Sequence, residues 1–288
     1  SITNYNDGSG SLNEIKVADK LQATGAISIV NEESDINVAQ GSEITSSASN
    51  VTLESAKNVS IAGAVNASTD ASINARGEID VEGNVNAANA MLKADSNITV
   101  NNITASQKAS FEAGEDFIHE GGAINAKEAV AFAQRDVLLN SGSMVADAAT
   151  LTATSGAIVE KYGYVVDTPA LTAGAGGAID LGNSANQLVD VDVTKAGGNV
   201  TIGSGYSRSD EALTVATANV VRGNLVITNY AGANDTQKNT IVVADKLQAA
   251  GDITITNQET DINVNEKALM NAVNIKLQAE KSAVNVNG

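Results

Sequence analysis

Asn58-Val59-Ser60-Ile61-Ala62-Gly63 and, twenty residues on, Glu78-Ile79-Asp80-Val81-Glu82-Gly83 decide the fold of this 288-residue chain. Each alternates polar and apolar residues and stops at a glycine, the pattern of a short strand running into a turn. The spacing extends in both directions. Large apolar residues at Leu53, Ile73, Leu92, Phe111, Phe132, Leu151 and Leu171 are separated by 20, 19, 19, 21, 19 and 20 positions. A second series runs through Val59, Ile79, Ile98, Ile118, Leu138 and Ile158, and a third through Val65, Val85, Ile103, Ile124 and Val145. Turn residues keep the same step at Gly63, Gly83, Asn102, Gly122 and Gly142. Three apolar series and one turn series in phase define a repeat of about 20 residues.

About 20 extended residues trace a perimeter of about 65 Å, and equivalent strands one period apart stack at about 4.8 Å. The expected fold is therefore all-β: a parallel β-helix, or solenoid, with about 20 residues and three short strands per coil. A coil this small has an interior only two side chains across. That accounts for a chain that is 43% hydrophobic yet 3% aromatic, with one Pro and no Trp. Phe111 and Phe132 are expected to be buried neighbours in adjacent coils, with Leu92 and Leu151 continuing their column. Asn66, Asn86 and Asn125 lie beside turns, where their amides are expected to bond from coil to coil. A motif Gly-x-[Ile/Val/Leu]-x-[Ile/Leu] begins at Gly25, Gly177, Gly198, Gly223 and Gly251. Its spacings from 177 onward are 21, 25 and 28, so coils there lengthen by insertions expected near 204–211 and 231–238. Stretches 12–23 and 267–282 contain helix-favouring residues, but Ile15, Val17 and Ile275, Leu277 alternate, so both read as strand.

A longer period lies over the short one. Residues 13–38 match residues 239–264 at a shift of 226, with 18 of 26 identical. Upstream, Ile2-Thr3-Asn4-Tyr5 returns as Ile227-Thr228-Asn229-Tyr230, and downstream Asn50-Val51-Thr52-Leu53 resembles Asn274-Ile275-Lys276-Leu277. The expected organisation is one continuous solenoid over 1–288, in which 1–226 form one module and 227–288 begin a second copy. A module of about 225 residues holds roughly 11 coils and rises about 50 Å. The two ends should be structurally equivalent, which makes end-to-end self-association of copies an expected interaction. The chain begins Ser1-Ile2-Thr3 without a charged-then-apolar leader, and reads as a fragment or mature segment.

A formal charge of −17 argues against sequence-independent nucleic-acid binding, which needs cationic side chains to displace counterions. It also disfavours attachment to anionic lipid. No apolar run approaches 18 residues, so membrane insertion is not expected. Without Cys and with one His, disulfides and zinc sites are not expected.

Catalytic chemistry finds little purchase. Asp190 and Asp192, two apart, share a strand face and have Asp180 as a candidate neighbour, but a solvated acidic face is the simpler reading. Arg76, Arg135, Arg208 and Arg222 have no recurring acidic partner of the kind a polysaccharide lyase uses. His119 follows Ile118 and is expected to point outward. Gly174-Ala175-Gly176-Gly177 lacks the Lys and Ser/Thr of a phosphate loop and reads as a corner. No catalytic, cofactor-binding or metal-binding residue is assigned. For cofactors the expectation is none; the weak exception is calcium, because residues 4–11 resemble an oxygen-rich loop, although the second copy does not keep its spacing. Asn50, Asn58, Asn97 and Asn199 head glycosylation-type sequons, which abundant Asn and Thr produce by chance. Tyr162, Tyr164, Tyr206 and Tyr230 are the surface aromatics suited to stacking on sugar, and more simply loop residues covering coil edges.

The coils Leu92-Lys93-Ala94-Asp95-Ser96-Asn97-Ile98-Thr99-Val100 and Phe111-Glu112-Ala113-Gly114-Glu115-Asp116-Phe117-Ile118 resemble repeats of filamentous haemagglutinin-like exoproteins, over most of residues 50–180. Residues 156–183 resemble a segment common in large secreted adhesins of bacteria with two membranes. The resemblance implies a right-handed β-helical shaft, secreted to the cell surface through an outer-membrane transporter and serving adhesion or biofilm. The function expected from it is a non-enzymatic shaft segment that projects a distal part, outside these residues, toward a host-cell or cell-surface receptor or glycan. A self-assembling extracellular fibre is the alternative, and a polysaccharide lyase or hydrolase ranks third.

Overall fold

Alternation at period two, interrupted by Gly and Asx, produces strands and corners throughout. The computed structural model describes residues 1–5, 13–205, 211–231 and 239–287 and contains no helix among them. Every strand pair given a register is parallel, and the coils stack as a β-solenoid of about 12 turns, about 21 residues apart. The described residues fall into two compact units, Ser1–Gln134 and Arg135–Gly288. The insertions expected at 204–211 and 231–238, most of the calcium-type loop at 4–11, Tyr206 and Arg208 lie wholly or largely outside the described residues.

In the first unit one buried column runs Ile36, Val59, Ile79, Ile98, Phe117. A second runs Leu53, Ile73, Leu92, Phe111, Ala131, and a third Val65, Val85, Ile103, Ile124. In the second unit a column runs through the buried Val137, Ile158, Ile179, Val200, Leu225 and Ile253 and ends at the exposed Ile275. Stretches 12–23 and 267–282 supply strands Ile15–Val17, Lys20–Ala23, Leu269–Asn271 and Ile275–Ala279. In the middle coils neighbouring short strands fuse, all three of the expected ones in Ile79–Ala94 and Ile98–Ala113, because ladder bonding carries through the corners with only small register shifts. The corners demand glycine in places. A Cβ on Gly83 would collide with the Gly63 carbonyl of the preceding coil, and Gly122 has a φ of 69°, in the left-handed region.

Four residues expected inside point outward. Phe111 pairs with Ala131, so Phe132 stands over Glu112, on the outer face and half-buried. Phe117, not Ile118, succeeds Ile98; Val137, not Leu138, pairs with Ile158; and Met144, not Val145, pairs with Val166. A one-residue slip transfers a whole strand to the other face. These segments are apolar on both faces, as in Val130-Ala131-Phe132-Ala133, so apolarity leaves the phase open. Packing closes it: the rings of Phe111 and Phe117 lie 4.6 Å apart and fill the interior, and alanines 129, 131 and 133 occupy the inward places beside them. Leu151 and Leu171 are both buried but belong to different columns, with Ala173 and Ala149 as their respective partners.

The two copies of the long repeat share local structure. Strands at Ile15–Val17, Lys20–Ala23, Ile27–Asn31 and Ile36–Val38 recur as Ile241–Val243, Lys246–Ala249, Ile253–Asn257 and Ile262–Val264. Pairing Ile15↔Ile36 recurs as Ile241↔Ile262. Asn31 Nδ2 donates to the carbonyls of Asn13 and Asp35, both at 2.8 Å; Asn257 Nδ2 donates to those of Asn239 and Asp261, both at 2.9 Å.

Candidate functional site

Outside the core, side chains form coil-to-coil files. Asn86 Nδ2 donates to Asn66 Oδ1 at 2.8 Å, as expected, whereas Asn125 stands over Thr104. A second file was not foreseen. The Asx residue just before a strand accepts, through its side-chain oxygen, the backbone N–H one coil on. Asp35 receives Asn58, Asn58 receives Glu78, Asn97 receives Asp116, Asn199 receives Asn224 and Asn224 receives Asp252, at 2.8–3.1 Å. Three sequon asparagines, Asn58, Asn97 and Asn199, thus have a structural use. The signal was present: Asp35-Ile36, Asn58-Val59, Asn97-Ile98 and Asn199-Val200 repeat an Asx–aliphatic pair at each strand start. Ion pairs Lys93–Glu112 at 2.6 Å and Lys108–Glu128 at 2.7 Å also join successive coils on the exposed surface.

The residues singled out by sequence are dispersed. Asp190 and Asp192 sit on the outer side of strand Gln187–Ala196, where Thr217 Oγ1 donates to Asp192. Asp180 belongs to another strand, Ile179–Leu181, whose register partners are Val159 and Thr201. His119 points inward, not outward: it pairs with Val100, is fully buried and has Nε2 2.9 Å from the Asn101 carbonyl. The same slip that turned Ile118 out turned His119 in, and burial lowers its pKa, so the ring is neutral at pH 7. Tyr164 is also buried, contrary to its reading as a surface ring, and Tyr230 donates its hydroxyl to the Gly182 carbonyl at 3.2 Å. Arg76 lines a cleft in the first unit with Glu32 and Glu54.

One site missed by sequence reasoning stands out in the second unit. Strand Ile158–Glu160 places Glu160 inward, over Leu139, at a position where the alternation calls for an aliphatic residue. Its Oε2 accepts hydrogen bonds from the Asn183 N–H at 3.1 Å and from Asn186 Nδ2 at 2.9 Å. Its Oε1 is buried and has no hydrogen-bond partner. Burial pushes the carboxyl pKa up to about 7; the two hydrogen bonds oppose the shift, and the Asp180 charge adds to it. The turn that follows, Lys161-Tyr162-Gly163-Tyr164, is closed by the Tyr164 N–H donating to the Lys161 carbonyl at 3.1 Å. Gly163 has a φ of 92°, which lets the turn send Tyr162 fully into solvent (99% exposed) and Tyr164 into the core. Asn183 and Asn186 complete the network: Asn183 Nδ2 donates to the Tyr164 carbonyl at 2.6 Å, and Asn186 Oδ1 accepts from the Val166 N–H at 2.8 Å. Glu160, Tyr162, Asp180, Asn183 and Thr201 line a cleft of about 240 Å³. Such a carboxyl can hold or release a proton near neutrality, and it draws positive charge. The signal in the sequence was one acid, Glu160, in the phase of a buried aliphatic.

Among the described residues no cluster of three or more His, Asp or Glu is placed to hold a metal, and no helix is long and apolar enough to cross a membrane. Compared with known protein families, curated proteins and solved structures, the chain matches none.

Proposed function

We propose that this chain is a non-enzymatic, right-handed shaft segment of a long secreted bacterial surface adhesin. It spaces a distal binding region from the cell, where that region meets a receptor or glycan and serves adhesion or biofilm. An outer-membrane transporter is the partner for its secretion, and it uses no cofactor. One observation carries the reading: residues 2–63 and 227–288 repeat strands, registers and buried asparagine bonds at a step of about 226. In a solenoid each coil contacts only its neighbours, so a sequence that reproduces its own coils lengthens the molecule without redesign. The resemblance to haemagglutinin-like repeats supplies the adhesin context. A second reading, a self-assembling extracellular fibre, draws on the same long repeat, because like coils of separate chains can stack as coils of one chain do.

Chains with one, two and three copies of the 225-residue repeat, compared by small-angle scattering, test the proposal. Each added copy is expected to lengthen a monomer by about 50 Å. Compact particles of constant length overturn the shaft reading, and filaments that grow with concentration replace it with the fibre.

A further inference from the structure

The Glu160 cleft has an occupant chemistry written into it, independent of whether the chain is a shaft. We propose that it binds an organic ammonium group, the charged end of an aliphatic amine, between the Glu160 and Asp180 carboxylates and beside the ring of Tyr162.

Three observations converge. Glu160 is 9% exposed and its Oε1 has no donor, an arrangement that is costly for a buried polar oxygen unless a donor arrives. Its Oε2 is held by the Asn183 N–H and Asn186 Nδ2, and those residues are themselves held, so the carboxyl group is anchored at one oxygen while the other is buried without a donor. Oε1 meets an entering N–H by a turn of the whole carboxyl group about its soft terminal torsion, which loosens the two bonds to Oε2 as the new one forms. Second, the cleft contains two carboxylates, and its one cation, Lys161, is exposed to solvent on the lip. An N⁺–H···O⁻ bond is the strongest hydrogen bond available to such a group. The chain's charge of −17 raises the local concentration of cations and excludes anions. Third, Tyr162 is fully exposed at the cleft, held there by the left-handed Gly163, and an aromatic face adds cation–π attraction. A cleft of about 240 Å³ is too roomy for a bare metal ion supported by two carboxylates, and fits an ammonium with several methylenes. A neutral sugar would leave both negative charges uncompensated.

The test is isothermal titration calorimetry of the whole chain with n-butylammonium at low salt, with glucose and calcium chloride as comparison ligands. Saturable one-site binding by butylammonium is expected. Glu160→Gln, which keeps the size and the Asn186 contact, should weaken it about tenfold or more, a loss of about 1.4 kcal/mol per tenfold. Asp180→Asn and Tyr162→Ala should each weaken it about threefold, and Asp190→Asn, which removes one charge from another strand, should leave it unchanged. Because Glu160, faced by Asp180, Lys161 and Tyr164, has a pKa of about 7, binding at pH 7 should release part of a proton. Titration in buffers of different ionisation enthalpy reads that release, which Glu160→Gln should abolish. Circular dichroism and thermal melting check that each variant is folded; if Glu160→Gln unfolds, Asp180→Asn and the proton release decide the matter. Absence of saturable binding, equal affinity in a folded Glu160→Gln, or Glu160-dependent binding of glucose or calcium in place of butylammonium overturns the proposal.

Discussion

Residues 2–63 and 227–288 have nearly the same local structure and very different burial. In the first segment Ile44, Val51, Val59 and Ile61 are completely buried. They pair onward with Val65, Ala71, Ile79 and Val81. Their counterparts fare otherwise: Ile275 is 44% exposed, Val284 39% and Val286 64%. Strand position, face and register are set by a segment's own pattern and the coil before it. Burial needs a coil on both sides: Leu21, whose one register partner among the described residues is Ile44, is half-buried, whereas its counterpart Leu247, held between Ala218 and Met270, is completely buried. A solenoid therefore separates two things that a globular core supplies together, the specification of a fold and the energy that holds it.

The comparison can be broken most forcefully at a matched pair. Leu53 and Leu277 occupy equivalent places, the first buried and the second only half-buried. Leu53→Ala should cost about 2–5 kcal/mol, read by hydrogen exchange in the surrounding coils, whereas Leu277→Ala should cost about 1 kcal/mol. Equal losses would mean that the second flanking coil adds no burial energy.

A pH titration sharpens it, because neither copy contains a buried carboxylate among its described residues, while Glu160 lies between them in sequence. Glu160 has a folded pKa of about 7, above the ordinary glutamate value of 4.5. A raised acid pKa means the folded form prefers the proton. Stability is then greatest below pH 4.5, declines as pH rises toward 7, and is flat beyond. The coils around residues 158–186 should lose roughly 2–3 kcal/mol of protection across that window, and Glu160→Gln should remove the slope. Residues 27–61 and 253–264 should not follow it.

Asn31 and Asn257 make the next test. Each donates twice to backbone carbonyls and accepts from two backbone N–H groups within its own turn. Asn31→Ala and Asn257→Ala should each cost about 1–3 kcal/mol, and by similar amounts, since the network closes within the coil pair. A large inequality would show that the resemblance is superficial. The smallest effect belongs to Lys281, which pairs with Glu259 at 2.7 Å in the second copy. Lys281→Ala should change stability by less than about 1 kcal/mol and less still in high salt.

Much of this was legible in the sequence. Ile79 and Ile98 sat in phase because only one face of each strand is apolar. Phe117-Ile118-His119 did not reveal its phase, for either face could have been the inner one, and the decision rested on the volume left beside Phe111. Glu160 was illegible as a site for the opposite reason. A carboxylate in an inward position contradicts the pattern, and only the distant Asn183 and Asn186 make it tolerable. Asn31 and Asn257 stand at matching places of the long repeat, yet what they do depends on carbonyls 18 residues earlier.

The duplication has a topological consequence. Strand Val200–Ser204 is covered by Leu225–Asn229, with Ile202 beside Ile227 and Ser204 beside Asn229. Ile2-Thr3-Asn4 is the same tripeptide as Ile227-Thr228-Asn229, and it leads into the same succession of strands. Two stretches of one chain are thus rival claimants to a single edge, and the rival can come from another molecule. Were one claimant exchanged for the other, the swap would have open, head-to-tail symmetry and would concatenate chains instead of closing a dimer.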